Sequence, residues 1–285
     1  MKILWTFDPF DKNTELNNLG KDLLSKCFNK KDSLEVLYVA SNAQAELATA
    51  YNIPIEKRYS DYPKKLIKEQ FKKISLKISK IEVLPEKSLS LTSTVKKVVD
   101  YTKKNKTDLI VIASNSKKIL PRFVLGSFAE TIVHLSVCDL LIYHQKTKFK
   151  SKAPANIVYA HDFSTKGSSG LEKVVEYAKK WNSVLTIVHI PVPEAGIDFH
   201  EFQEITQKRV QKLEKSLESQ KVKCSVYLEY EVRPITETLL EIAGITKADI
   251  IAVTAQSNKL SAFLGGSITR QILRESLLPT LVLKV

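Results

Sequence analysis

Short apolar runs alternate with amphipathic segments along the whole chain. In the second half, the runs expected to form strands are residues 157–160, 184–190, 222–230, 250–253 and 280–285. The clearest apolar face at helical spacing between them consists of Leu171, Val174, Val175, Ala178 and Trp181. Short, continuously apolar strands separated by helices are typical of a parallel sheet that is covered on both faces. The pattern therefore predicts the α/β class.

The same succession of elements occurs twice. The segments 108–143 and 249–283 each contain an apolar strand, a polar loop, a Gly-Ser pair at the start of a helix, and a closing apolar strand. The starts of the two halves also match, because 3–8 and 157–162 are both short apolar strands that end in Asp. Self-similarity at this distance predicts two copies of one domain.

Each copy is expected to be a doubly wound domain, with a five-stranded parallel sheet flanked by helices. The pattern places the first domain at residues 1–147 and the second at 153–285. A charged, Pro-containing linker lies near 146–154. The first copy is the longer one, and we expect its additional residues within 41–63.

Composition indicates a folded protein of a reducing compartment. The 285 residues are 44% hydrophobic and 26% charged, which excludes collagen-like, low-complexity and wholly disordered chains. No apolar run has the roughly 20 residues of a membrane span, and the N-terminus lacks the apolar region of a signal peptide. Cys27, Cys138 and Cys224 are isolated, without a CxxC pair, which favours neither a disulfide framework nor structural zinc. The sequence thus predicts a soluble, cytoplasmic protein.

Positive charge is concentrated in the first half of the chain. Residues 1–150 carry 27 Lys and Arg against 16 Asp and Glu, whereas residues 151–285 carry 17 against 15. Much of the excess comes from Lys64, Lys65, Lys68, Lys72, Lys73, Lys77 and Lys80. Apolar residues fall between these lysines at helical spacing, and interleaved aromatic residues for base stacking are missing. A solvated helix face is therefore favoured, and a nucleic-acid partner is not expected.

Ligands of open α/β sheets bind beyond the carboxyl ends of the strands. Asp8 and Asp162 end the first strand of their copies, where a carboxylate can accept hydrogen bonds from ribose hydroxyls or an amine. The Gly-Ser pairs at 126–127 and 266–267 open helices, whose N-terminal N–H groups suit a phosphate. A single pair is better explained as an ordinary helix cap. Its recurrence in both copies makes a binding role as well supported as the cap.

These features resemble the universal stress protein family, in its tandem form, over essentially the whole chain. The nucleotide motif of that family, Gly-x2-Gly-x9-Gly-Ser/Thr, runs from the fourth strand into the fourth helix. Its four positions are occupied in the first copy by Ala113, Ser116, Gly126 and Ser127. In the second copy, whose loop is one residue shorter and has an additional glycine, the matching residues are Thr254, Ser257, Gly266 and Ser267, with Gly265 as that glycine. The family's nucleoside-contacting Asp and its adenine-side residue are matched by Asp8 and Asp162, and by Val39 and Ile190.

The resemblance implies an adenine-nucleotide α-hydrolase-like fold that binds ATP or another adenine nucleotide, with Mg²⁺, and signals stress without an obligatory chemical step. It assigns no catalytic residue, so the implied activity is at most slow ATP hydrolysis. It also implies an intramolecular pseudo-dimer in which 140–143 and 280–283 pair or pack together. A homodimer, a small-molecule ligand and an unidentified protein partner are all compatible with this organisation.

Two alternatives stay open. Small residues replace both leading glycines of the motif in both copies, which favours a scaffold that binds an apolar ligand or a protein partner without nucleotide. The first copy keeps the spacing of the motif and is the slightly favoured nucleotide site. An enzyme that transfers an adenylyl group is the third hypothesis, but the sequence shows no second substrate site.

Other chemistries lack support. The chain contains no GxxxxGK[ST], GxGxxG, GxSxG or HExxH motif, so P-loop hydrolysis, Rossmann dinucleotide binding, serine hydrolysis and zinc proteolysis are disfavoured, and no metal ligands are assigned. His161 adjoins Asp162, but adjacent strand residues point to opposite faces, so we expect a structural role for this histidine. Residues 167–170 are expected to begin the helix after Asp162 as a flexible turn and cap.

Overall fold

The computed structural model describes residues 1–41, 61–72, 77–88, 90–114, 127–149, 151–191, 196, 198–230, 233–255 and 266–285. The strands within these ranges are β1 (Lys2–Thr6), β2 (Ser33–Ser41), β3 (Ile78–Glu86), β4 (Leu109–Ser114), β5 (Asp139–His144), β6 (Asn156–Ala160), β7 (Val184–His189), β8 (Cys224–Leu228), β9 (Ile250–Ala255) and β10 (Thr280–Lys284). The helices are α1 (Thr14–Cys27), α2 (Tyr62–Gln70), α3 (Leu91–Asn105), α4 (Ser127–Leu135), α5 (Thr165–Trp181), α6 (Phe199–Ser219), α7 (Ile235–Ile245) and α8 (Gly266–Glu275).

The described strands form one sheet in the order β3-β2-β1-β4-β5-β10-β9-β6-β7-β8. Within each half of this sheet every neighbouring pair is parallel. The halves meet at β5 and β10, which are antiparallel, with Leu141 opposite Leu281. The predicted α/β class and the pairing of the two closing strands are therefore confirmed.

Two apolar layers cover the sheet, one on each face. Successive residues of β1 and β6 belong to different layers, because side chains alternate along a strand. Trp5 and Tyr159 lie in the layer that includes Val174 of α5. Leu4 and Val158 lie in the opposite layer. Each square ångström of apolar surface removed from water contributes about 25 cal/mol, so burial on both faces explains why these strands are apolar throughout.

Helix α5 begins directly after Ser164, whose Oγ accepts a hydrogen bond from the Gly167 N–H at 3.0 Å. Residues 167–170 lie at the start of the helix that follows Asp162, as predicted, but the expected flexible turn is wrong, since Gly167 and Gly170 lie inside the helix. The serine cap and the apolar face that follows outweigh the cost of helical glycine, about 1 kcal/mol each. The helix ends at Trp181, because Asn182 adopts a left-handed conformation with φ of 53°.

The Asp139 carboxylate joins the two copies. It is 6% exposed. Its Oδ1 accepts hydrogen bonds from Lys173 Nζ at 2.9 Å and from the backbone N–H of Lys284 at 2.8 Å. Its Oδ2 accepts a hydrogen bond from the Tyr177 hydroxyl at 3.2 Å. All three donors belong to the second copy, so one buried carboxylate of the first copy anchors a helix and the closing strand of the other.

Each closing strand ends on a residue that reaches a helix of the opposite copy. His144 Nε2 lies 2.7 Å from the carbonyl oxygen of Ser276, just after α8. Lys284 Nζ donates a hydrogen bond to the carbonyl oxygen of Val133 in α4 at 2.9 Å. Carbonyl groups at a helix C-terminus lack intrahelical donors, and a cation there is favoured by the helix dipole. The two copies thus complete the ends of each other's helices.

Helix α2 carries part of the lysine run. Ile67 and Phe71 are buried, whereas Lys65, Lys68 and Lys72 are exposed, as expected for a solvated face above a packed one. The expectation is wrong for Lys80, which lies in β3 and not on a helix. None of the helices that the structure describes has the length and apolarity needed to cross a bilayer.

Candidate functional site

A pocket of about 250 Å³ lies at the carboxyl ends of β6, β7 and β9 in the second copy. Its walls are mostly apolar and include Val188, Ile190, Leu239, Val253 and Ile268. Its polar lining residues are His161, Asp162, Thr254 and Thr269. This is the edge of the sheet at which open α/β folds bind their ligands.

Asp162 supplies the charged group of the pocket. Its Oδ1 accepts two hydrogen bonds from Ser164, one from the backbone N–H at 3.0 Å and one from Oγ at 2.7 Å. Partial burial raises the pKa of Asp162, but these hydrogen bonds outweigh burial and hold the pKa below its usual value. The Asp162 side chain is exposed and lines the pocket, so the ionised carboxylate is accessible to a ligand.

Gly167 allows the first turn of α5 to approach the end of β6. A Cβ at this position would lie 2.2 Å from Asp162 Oδ1 and 3.1 Å from His161 Nδ1. Contacts this short do not occur between non-bonded atoms, so a larger residue would displace the carboxylate. The glycine therefore shapes one wall of the pocket.

Thr254, at the first motif position of the second copy, is held by α5. Tyr159 donates a hydrogen bond to the Gly167 carbonyl oxygen at 3.1 Å, and the Thr254 hydroxyl lies 2.8 Å from the Tyr159 hydroxyl. A Cβ on Gly170 would lie 2.1 Å from Thr254 Oγ1. The Thr254 hydroxyl thus faces Tyr159 and Gly170 of the neighbouring elements. The part of the side chain that is left to contact a ligand is therefore small.

His161 is an enclosed histidine beside this carboxylate. It is 5% exposed, and its ring lies 5.9 Å from that of Tyr159 and 4.7 Å from that of Phe163. Its Nδ1 has no hydrogen-bond partner in the described structure. Burial lowers the pKa of His161 to about 4, and the nearby Asp162 offsets only part of that effect. Because β6 ends at Ala160, the alternation of strand residues does not extend to His161 and Asp162, and both line the pocket.

Acid is expected to destabilise the protein through this histidine. The folded pKa of about 4 lies below the ordinary value of 6.5, so the unfolded chain binds more protons between these two pH values. Stability therefore falls as the pH drops from 6.5 towards 4, by up to about 3 kcal/mol. Burial also lowers the pKa of His144 and His189, which adds to the effect. Urea unfolding at several pH values should show a smaller pH dependence for His161→Phe than for the wild type, and an equal one would contradict the assignment.

The first copy has a phenylalanine where the second has this histidine. Phe7 precedes Asp8 as His161 precedes the second aspartate. Its ring packs edge-to-face on Trp5 at 5.1 Å and on Phe71 at 4.9 Å. Alignment of the two copies is thus the sequence signal that could have singled out His161.

The predicted site residues have different outcomes. Those that line the pocket are Asp162, Ile190 and Thr254. Those near the carboxyl ends of β1, β2 and β4 in the first copy are Asp8, Val39 and Ala113, with Asp8 Oδ1 accepting a hydrogen bond from the Phe10 N–H at 2.9 Å. Those that open helices are Ser127 in α4, and Gly266 and Ser267 in α8. The predicted residues that lie outside the described ranges are Ser116, Gly126, Ser257 and Gly265.

Comparison with known proteins gives a consistent family. The model of the universal stress protein family matches residues 25–144 and 155–284. A universal stress protein from Archaeoglobus fulgidus DSM 4304 is 18% identical, with 99% of this chain and 96% of that chain covered and a TM-score of 0.66. A functionally unknown protein from Pseudomonas aeruginosa PAO1 is 12% identical, with 99% and 92% covered and a TM-score of 0.62.

At these identities the solved structures show the fold alone. Comparison with curated protein sequences gives no match. The family model, by contrast, matches both halves of the chain and leaves only short segments outside. The chain therefore belongs to the universal stress protein family and carries the domain of that family twice.

Proposed function

We propose that the second copy, and not the first copy that the motif spacing favours, binds an adenine nucleoside or nucleotide, and that the protein acts as a cytoplasmic sensor of this ligand. The observation that carries the proposal is the pocket at the carboxyl ends of β6, β7 and β9, where an ionised aspartate adjoins apolar walls. Small-molecule pockets combine mostly apolar walls with a few polar groups that fix orientation. The pocket's volume, about 250 Å³, suits a compact ligand with a flat apolar ring.

The two parts of an adenine nucleoside match the two kinds of lining. Val188, Ile190 and Val253 supply apolar surface for the ring. The carboxylate of Asp162 accepts hydrogen bonds, and hydroxyl groups of a ribose supply donors. Helix α8 begins at Gly266, so a phosphate group would be placed near helical N–H groups.

Magnesium would enter with the phosphates of a bound nucleotide, since Mg²⁺ is usually held by one or two carboxylates and substrate phosphates. Among the described residues, no group of three or more His, Cys, Asp or Glu side chains is arranged to hold a metal ion. Asp162 is the carboxylate that lines the pocket and would contact such an ion. A carboxylate with a lowered pKa is a weak general base, so any ATP hydrolysis is expected to be slow.

Binding of an apolar ligand is the second candidate function. The apolar character of the pocket walls supports it, and so does the Thr254 side chain, which is engaged with Tyr159. Under this alternative the carboxylate of Asp162 would contribute little to affinity. The same variant therefore separates the two candidates.

Asp162→Asn is expected to weaken adenosine, AMP, ADP and ATP binding by about tenfold or more, because a charged acceptor is replaced by a neutral amide. Asp8→Asn, at the matching position of the first copy, is the control and should leave this affinity unchanged. Titration calorimetry measures both affinities, and native mass spectrometry counts the ligands bound per chain.

Three other outcomes are informative. Loss of binding in Asp8→Asn alone would move the site to the first copy. Equal affinity in both variants and the wild type would favour a ligand that does not use the carboxylates. Absence of binding at millimolar nucleotide would overturn the proposal.

A further inference from the structure

The His161 imidazole is a polar group that the protein itself leaves unsatisfied. The side chain is 5% exposed, lines the pocket, and has an enclosed Nδ1 without a hydrogen-bond partner among the described residues. Most buried polar side-chain atoms in native proteins are paired, and each orphan costs about 1–3 kcal/mol. A cost of this size needs a compensating role.

The fold does not require a polar residue at this position. Both copies have an aspartate after the first strand, and in the first copy Phe7 precedes it. Phe7 is as buried as His161, at 5% exposure. The neighbours of His161 are aromatic as well, since Tyr159 and Phe163 flank its ring. A phenylalanine would satisfy this environment, so the histidine is explained by the pocket and not by packing.

The imidazole and the carboxylate of Asp162 lie side by side. Both His161 Nδ1 and Asp162 Oδ1 are within 3.1 Å of the point where a Gly167 Cβ would stand. The glycine therefore lets both groups pack closely against the first turn of α5, and both side chains line the pocket. A ligand with two adjacent polar groups could contact both residues at once.

We propose that His161 and Asp162 together bind the vicinal hydroxyl groups of a ribose, so that the second-copy pocket selects ribonucleosides over deoxyribonucleosides. This inference rests on the proposed function and adds a specificity-determining residue to it. The assignment follows from the chemistry of the three groups. A carboxylate only accepts hydrogen bonds, a neutral imidazole has one donor and one acceptor nitrogen, and a hydroxyl can do both.

A ribose diol satisfies both side chains at once. One hydroxyl donates to the Asp162 carboxylate, and its neighbour exchanges a hydrogen bond with a nitrogen of His161. Because the enclosed Nδ1 of His161 has no hydrogen-bond partner in the described structure, the bound hydroxyl sets the tautomer of the ring. An analogue that lacks either hydroxyl leaves one polar group of the site without a partner. A site of this kind discriminates strongly against such an analogue.

The test compares adenosine, 2′-deoxyadenosine and 3′-deoxyadenosine by titration calorimetry. The wild type should bind adenosine at least about tenfold more tightly than either deoxynucleoside. His161→Phe, which copies the first domain, should reduce the preference over one of the two deoxynucleosides to about threefold or less. The preference over the other, which lacks the hydroxyl that contacts Asp162, should stay at about tenfold or more. His161→Asn and His161→Gln place an amide near the positions of Nδ1 and Nε2, and recovery in one of them identifies the nitrogen that contacts the ligand. His200→Phe, on the exposed start of α6, is the control and should behave as the wild type.

The outcomes separate this inference from the proposed function. If adenosine binds, Asp162→Asn weakens it, and His161→Phe keeps the full preference for ribose, then the function holds and the role of His161 is overturned. Equal affinity of the wild type for all three nucleosides would overturn it as well. If none of them binds to the wild type, both proposals fall together. Urea unfolding of each variant shows whether a loss of binding reflects a loss of the folded state.

Discussion

Asp139→Ala is expected to destabilise the protein by about 3–5 kcal/mol, the range for breaking a buried ionic network at one partner. The substitution removes the acceptor of three hydrogen bonds that come from the second copy. It leaves the Tyr177 hydroxyl and the Lys284 N–H without partners in a buried setting. The charged group of Lys284, which is 4% exposed and has its pKa lowered by burial, also loses the attraction of the carboxylate.

Urea unfolding followed by far-ultraviolet circular dichroism measures this effect. Asp100→Ala is the matched control, because Asp100 lies on the exposed face of α3, and its change should stay within about 0.5 kcal/mol. A loss below about 1 kcal/mol for Asp139→Ala would contradict the role of this carboxylate as the anchor between the copies.

Gly20→Ala should destabilise the protein by about 3 kcal/mol, at the upper end of the cost of overpacking a core. A Cβ on this residue of α1 would lie 2.2 Å from Tyr143 Oη and 2.6 Å from Trp5 Cζ2. Both rings are fully buried at 0% exposure, so neither has space into which it can move. The helix must therefore shift away from β1, and its other contacts with the sheet weaken.

Gly244→Ala is the control for this substitution. Gly244 lies in α7, and a Cβ there would meet no atom within 4 Å. The change should stabilise the helix by about 0.5–1 kcal/mol, since alanine is the better helix former. Thermal unfolding of the two variants should thus give opposite shifts of the midpoint, and a tolerated alanine at Gly20 would show that the helix is not held against the strand.

The sequence predicts well where the strands lie along the chain. The apolar runs at 157–160 and 250–253 coincide with β6 and β9 within two residues. This agreement has a physical reason: a strand covered on both faces has to be apolar at every position, which gives a pattern that local reading detects. The repeat and the Asp that ends each first strand then indicate which edge of the sheet carries the site.

Contacts between distant side chains could not be predicted in the same way. Gly167 and Gly170 have the composition of a turn, yet Gly167 is close to the two side chains that follow β6, and Gly170 is close to side chains of β6 and β9. Asp139 meets donors 34 and 145 positions away, and nothing in its local sequence indicates them. The burial of His161 Nδ1 likewise depends on β6 ending at Ala160, which the sequence pattern does not locate to the residue.

The antiparallel pairing of β5 with β10 has a consequence for how the two sites can diverge. In a symmetric assembly of identical subunits, every substitution appears in both halves, and a residue that suits a ligand must also suit the packing of each half. Here one chain contains both halves, so a substitution in one half does not appear in the other. One half can therefore keep Phe7 as part of an aromatic cluster while the other places His161 beside a pocket. Because β5 and β10 pair within one chain, the two copies of the site can differ in sequence within a single molecule.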